Sequence, residues 1–463
     1  MKKARKWFGI VCGSCFWIHS IFVVSAQTVR METTDRLTVC VEEAEMNEAA
    51  LLPVIRKFQD TFPEVELEIE KLPEVIVSTP EYEAVRQAKV DQIKTEVMSG
   101  GGPDLFVLSV GVNNYTLDTE NLFKDLEKSA RTGIFADLGT MLEADETIDL
   151  EAFYPFVKEA GTVDGKLVLF PLSYYAPAYV TTQKNLEEIG FDRECAQDSL
   201  EAFRDEMVTC LTQEQMIFAR QDYYQNLASP LLDYDTGKIH MGGPEKTYFE
   251  WYKQESKWAE EYQKSGGITY YDVQEAAYRL SEGKLPIISG AIGSSFGALM
   301  TAECMAASGE DAVFLFLPDE NGEGVAFIDS YAAINANSSN QKNALEFLKI
   351  LISEEMQIQG YGITDSMPVR RGHEILRSVA SVRRESQKGL FAIDRAELSD
   401  MALASYADVL EHLKTGRIQQ MLYLPINGNE TFQDYLKQYV EDAIEYEELA
   451  AIVEDGLTFY WEE

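Results

Sequence analysis

Histidine and cysteine are scarce in this chain of 463 residues, and cations are heavily outnumbered. Past residue 26 the histidines are His240, His373 and His412, and the cysteines are Cys40, Cys195, Cys210 and Cys304. The histidines stand singly, and no H-E-x-x-H or paired C-x-x-C of metal spacing occurs. Neither a zinc site nor any cofactor is therefore expected. Cys12 and Cys15 form a C-x-x-C inside an apolar stretch, where that spacing is accidental rather than redox-active. Cys195 and Cys210 could close a short loop in an oxidising compartment, or stay as two buried free thiols. Lys and Arg total 40 against 78 Asp and Glu, a formal charge of -38. A surface that negative repels phosphate backbones and anionic headgroups, so no nucleic-acid partner is expected. Long apolar runs are missing except at the extreme N-terminus, which excludes a polytopic membrane protein.

What is present describes an exported globular protein. The 46% hydrophobic and 25% charged content suits a packed core, and at ~100 to 200 residues per domain the length allows two to four domains. Lys2, Lys3, Arg5 and Lys6 precede an apolar run from Trp7 to Ala26 that ends in the small residues Val24-Ser25-Ala26. Residues 1–26 therefore read as a secretory signal, the alternative being an uncleaved anchor helix. Either way the folded part is extracytoplasmic, at the cell surface or in the periplasm. Removing those four cations leaves 36 against 78 acids, or -42. Neither Cys12 nor Cys15 sits in a lipoprotein cleavage site, so a lipid anchor is not expected.

Hydrophobic spacing then sets the fold class. Leu37, Val39 and Val41 alternate as a strand; Leu51, Leu52, Ile55 and Phe58 recur at helical spacing; Val65, Leu67 and Ile69 alternate with glutamates. Val85, Val90, Ile93 and Val97 make a second helical stripe, and Leu105 to Leu108 a continuous apolar run that suits a buried parallel strand. This alternation builds an open α/β sheet, whose ligands collect at the carboxyl ends of the strands. Pro171 marks the segment after Leu167 as an edge or crossing strand. Tyr248, Trp251, Tyr252, Trp258 and Tyr262 form an aromatic stripe read as core packing. Asn337 to Asn340 is a polar capping cluster before a helix, and the last third is mostly helical by pattern.

Five segments in order carry a family resemblance: Val97-Met98-Ser99-Gly100-Gly101-Gly102-Pro103-Asp104-Leu105-Phe106; Phe135-Ala136-Asp137-Leu138; Val163-Asp164-Gly165-Lys166-Leu167 with Phe170-Pro171-Leu172; Ser281 to Gly290; and Asp329 to Asn335, followed by the helix through Phe347-Leu348. Together they resemble the extracellular solute-binding proteins of ABC importers, in the carbohydrate-binding group that includes maltose-binding protein. The resemblance implies an α/β, two-lobed, periplasmic-binding-protein-like fold of type II. Its lobes would be residues 36–174 with 290–335, and 178–287 with 339–463, joined by hinge strands. It implies a monomer that closes on a small solute, a sugar or oligosaccharide, and delivers it unaltered to ABC transporter permease subunits.

Solute contacts are expected from aromatic rings stacking on sugar C–H faces and from polar groups taking hydroxyls. Tyr174 and Tyr175 lie at the first crossing, Asn113 and Asn114 follow the P-D strand, Ser294, Ser295 and Phe296 follow the return strand, and Asp329 and Tyr331 flank the next. The family's tryptophan after the return strand is absent here. Asp104 reads as a turn former. Two rivals stand beside this: a surface receptor or sensor of the same fold, and a secreted serine hydrolase. The latter would use Gly293-Ser294-Ser295-Phe296-Gly297 as a G-x-S-x-G elbow, with Ser295 as nucleophile and His373 or His412 with Asp394 or Asp408 downstream.

Overall fold

The computed structural model describes residues 35–43, 51–73, 79–110, 121–123, 125–145, 147–220, 232–233, 235–293, 297–358, 366–372, 398–418, 425–427 and 430–462. The expected signal, residues 1–26, lies outside them. Among the described residues no helix is long and apolar enough to cross a membrane.

The opening strand and helix alternation folds as its periodicity dictates. β1 (Arg36–Glu42) pairs in parallel with β2 (Glu66–Leu72) on one edge and β3 (Leu105–Ser109) on the other. β2 lies at the outer edge, with Glu66 and Glu68 in solvent and Leu67 and Ile69 half-buried. The crossovers are the helices Leu52–Thr61 and Pro80–Met98, each begun by a proline whose missing N–H costs nothing there. In the second helix Val90, Ile93 and Val97 are buried as expected, but Val85 is 56% exposed. Arg86 turns inward in its place and forms a buried two-pronged pair with Glu42 at the end of β1, at 2.8 and 3.1 Å.

A tight hairpin follows, β4 (Thr162–Val163) with β5 (Lys166–Leu167), turned by Asp164 and Gly165, both at positive φ. Next comes the twelve-residue β6 (Phe170–Thr181). A second hairpin, β7 (Leu232–Asp233) with β8 (Lys238–Ile239), precedes the long helix Pro244–Lys264. β9 (Ile287–Ile292) and β10 (Val313–Phe316) both run antiparallel to the second half of β6. β11 (Gly324–Ile334) is antiparallel to β3 and to the first half of β6. β12 (Met367–Pro368) also pairs with that half of β6, and β13 (Leu413–Ile418) runs parallel to the start of β11. A small pair, β14 (Pro425–Asn427) with β15 (Glu430–Thr431), completes the strands.

Pro171 thus lies inside the sheet, paired with Tyr331 where the register slips between Ser330 and Tyr331. The irregularity absorbs the N–H that proline lacks. The tail has its expected helices, Asp400–His412, Phe432–Val440 and Tyr446–Glu462. It also sends β13 back into the large sheet, a strand that its sequence, Leu-Lys-Thr-Gly-Arg-Ile, does not announce by alternation.

Three cores result. The first gathers β1, β3, β6 and β11 and runs on to one face of β9 and β10 through Ile288, Ile292, Phe314 and Phe316. The second gathers Tyr179, Phe203, Ile287, Val313, Leu315 and Phe327. The third lies between the helix Pro244–Lys264 and the last two helices, around Phe249, Phe432, Tyr446 and Leu457. The aromatic stripe divides: Tyr248, Trp251 and Trp258 turn to the second core and Tyr252 to the third, while Tyr262, expected to pack in the core as well, joins neither and meets Phe218 edge-on.

Candidate functional site

Two long strands, β6 and β11, tie the first core to the second. In β6 every residue but one is buried, and the exception is Tyr175. In β11 every residue but one is buried, and the exception is Asp329. A side chain held half-open in an otherwise closed strand is placed to meet something from outside.

The surroundings fix both groups. Tyr175 rests its ring against buried Phe327, with centroids 5.6 Å apart. Asp329 accepts a hydrogen bond from the Ser366 hydroxyl at 2.7 Å, and its backbone carbonyl accepts from the amide of Val110 at 2.8 Å, just past β3. Between them Ser173 and Ser330 face each other across the two strands with their hydroxyls hydrogen-bonded in the core. Gly293, at the exit of β9, lies on Tyr175 so closely that a β-carbon there would stand 2.9 Å from the tyrosine's Cβ. The junction therefore offers an aromatic face and a carboxylate, with rigid support under each. Such a pair can stack on a sugar ring and accept from its hydroxyls.

Other expected residues fall in different places. Tyr174 is fully buried, edge-on to Tyr154 and Phe156. Tyr331 is buried too, and burial, followed by the nearby charge of Glu42, pushes its phenol well above the ordinary value. Asn113, Asn114, Ser294, Ser295 and Phe296 lie outside the described residues. So do His373 and Asp394. His412 stacks on Phe316 and its Nδ1 contacts the carbonyl of Asp408 on its own helix at 2.7 Å. Sequence reasoning missed Ser173, Ser330 and Ser366; the first two could have been flagged as lone hydroxyls in apolar runs, whereas nothing local marks Ser366.

The matching motifs hold the scaffold. The Asp104 carboxylate accepts from the amide of Thr38 at 2.8 Å, the Ser338 hydroxyl at 2.6 Å and the Asn340 amide at 3.2 Å. Asn335 donates to the carbonyls of Gly101 and Pro103 at 2.8 and 3.0 Å. The G-G-P-D turn and the end of β11 thus clamp one another, and the cluster from Asn337 to Asn340 serves that clamp: Asn340 makes no side-chain cap on its helix. Asp137 caps the helix Leu138–Glu143, and its bond from the Thr140 amide holds its carboxyl below the usual range. Cys195 and Cys210 are free thiols, the latter directed at Glu206 at 3.3 Å.

The family model described as bacterial extracellular solute-binding protein matches residues 214–358, a stretch that holds β9, β10 and β11. The sugar-binding protein MalE of Xanthomonas citri superposes with a TM-score of 0.55 at 13% identity, over 92% of this chain and 97% of that one. The fold is that of an extracellular solute-binding protein. A sugar transporter protein of Rhizobium etli, in an open conformation, gives 0.54 at 14% identity over 91% and 98%. An ABC substrate-binding protein of Listeria monocytogenes, in complex with cycloalternan, gives 0.52 at 12% over 92% and 99%. Comparison with curated protein sequences finds no match. The two-lobed α/β expectation is met, and the resemblance read from the five motifs stands. The matched family is extracellular by description.

Proposed function

We propose that this protein captures a sugar or oligosaccharide between two lobes, closes on it by bending at β6 and β11, and presents it unaltered to the permease of an ABC importer. One lobe is built on β1, β2 and β3, the other on β9 and β10 with the second core, and the first core runs through both. The reading is carried by the placement of Tyr175 and Asp329, the sole half-open side chains of the two strands that join the cores. Binding energy from groups in both strands favours the closed form, which is how a solute shifts such an equilibrium.

A melting-temperature screen over maltooligosaccharides, monosaccharides, polyols and short peptides tests it. A solute bound only by the folded form stabilises by about 2.7 kcal/mol at a hundred times its dissociation constant. Tyr175→Ala and Asp329→Asn should abolish the shift given by the best compound, while Tyr270→Ala, at an exposed surface ring, should keep it. Absence of a shift with every carbohydrate, or recovery of the solute chemically converted, would overturn the proposal.

A further inference from the structure

Far along the chain from Tyr175 and Asp329, one cluster joins the first core to the third. The helix Leu126–Arg131 buries Leu126 and Ala130 in the first core. Asp125 caps it, accepting from the Lys128 amide at 2.9 Å. Three polar groups of this turn reach across. The Lys128 ammonium donates to the backbone carbonyl of Tyr460 at 2.7 Å and stands 3.8 Å from the centre of that ring. The Asp125 carboxylate faces the Tyr460 hydroxyl, and burial followed by that carboxylate raises the phenol above its ordinary value. The Arg131 guanidinium gathers Glu127 and Asp164 from its own side and Asp235, at 2.9 Å, from the other.

The receiving side is a built unit as well. Tyr460 ends the helix Tyr446–Glu462, whose Leu449, Val453 and Leu457 fill the third core. Asp235 lies in the connection between β7 and β8, where Asp233 accepts from its amide at 2.9 Å. Gly237 of that connection lies so close to Trp461 that a β-carbon there would stand 2.7 Å from the indole nitrogen. The connection and the helix end therefore present Asp235 and Tyr460 together.

We infer that Asp125, Lys128 and Arg131, closing on Asp235 and Tyr460, form a latch that holds the two lobes in the present arrangement and so sets solute affinity from outside the site. This rests on the two-lobed hinge reading above, with the third core riding on the second lobe through the helix Pro244–Lys264. Asp235 keeps 75% of its side chain in solvent, so its pair with Arg131 is weak and salt-screened. A weak contact still matters to a hinge, because a lobe equilibrium near balance responds to small differences.

The variant and salt arms of the test need no solute. The full chain carries spin labels at native Cys195 and at a cysteine replacing Met98, which is 87% exposed, with Cys12→Ser, Cys15→Ser and Cys210→Ser to prevent further labels. Interlabel distances are recorded for the parent, Asp235→Asn, Arg131→Gln, their double variant and Tyr460→Phe, at low salt and in 0.5 M salt (about a 4 Å screening length). Asp235→Asn, Tyr460→Phe and high salt should each move the parent's distribution, changing the ratio of its populations roughly two- to tenfold. Asp235→Asn should add nothing once Arg131 is Gln. A parent that populates two distances indifferent to these changes, in variants that melt like the parent, overturns the latch and spares the hinge. One invariant distance in the parent, unmoved by salt or by the best carbohydrate, overturns both.

Discussion

Gly293 and Tyr175 share a space with no room for another methyl group. A β-carbon on Gly293 would lie 2.9 Å from the tyrosine Cβ and 3.1 Å from the carbonyl of Tyr174, at a φ of +129°. Gly293→Ala is expected to lower stability by roughly 2 to 4 kcal/mol, combining backbone strain with overpacking. Gly190→Ala, at a φ of +72° with nothing within 4 Å, should cost only about 1 kcal/mol. Denaturant midpoints compare the two, and equal losses would show that Tyr175 gives way freely.

Asp104 supplies the acceptor for three donors from β1 and from the turn after β11. Asp104→Ala strands the part-buried amide of Thr38 and is expected to cost about 1 to 3 kcal/mol, read as a lower urea midpoint at unchanged slope. Solute affinity, measured well below that midpoint, should stay within about twofold if the residue only holds the scaffold.

Thiol reactivity should rank the four cysteines past residue 26. Cys195 is exposed. Burial, and then the neighbouring Glu206, pushes Cys210 up to about 11, burial pushes Cys304 up to about 11, and buried Cys40 lies well above its ordinary value. In a Cys12→Ser, Cys15→Ser background, a disulfide reagent at pH 8 should label one thiol rapidly in the native protein and all four in denaturant. Fast labelling lost in Cys195→Ser confirms the assignment; two fast thiols would contradict it.

Acid should loosen the contact between Asp145 and the helix Gln341–Leu351. Lys349, 2.7 Å away, and then Thr147 hold the Asp145 carboxyl at about 2, against an ordinary 3.8. The folded value is the lower one, so the stabilisation is complete above about pH 4 and is lost as pH falls toward about 2. Melting curves of the parent and Asp145→Asn should therefore differ at pH 5 and converge near pH 2. Parallel curves across that window would remove Asp145 from the acid response.

Much of the scaffold was legible because short-range spacing dictates it. β1 to β3 and their two helices follow from alternation and helical recurrence, and the Asp164-Gly165 turn from its two residues. Val85 misled because a helix stripe can rotate by one residue when a buried ion pair, here Arg86 with Glu42, outweighs apolar burial. β13 escaped because its place is set by β11, some ninety residues earlier, and not by its own pattern. At the junction, Tyr175 and Asp329 were named among neighbours of equal chemical promise. Only three-dimensional packing separates Tyr175 from Tyr174, since adjacent residues of a strand point to opposite faces.

The position of β11 also orders events during biosynthesis. This strand lies between β3 and β6 and meets β13, yet it is made long after the first two. A nascent chain that has produced only its first three hundred residues has β1 on one side of β3 and β9 on the second half of β6, but the flanks that β11 will cover are still bare, the template on which chains adhere to one another. Pairings so remote in sequence should make it a slow folder that benefits from a chaperone until β11 is in place.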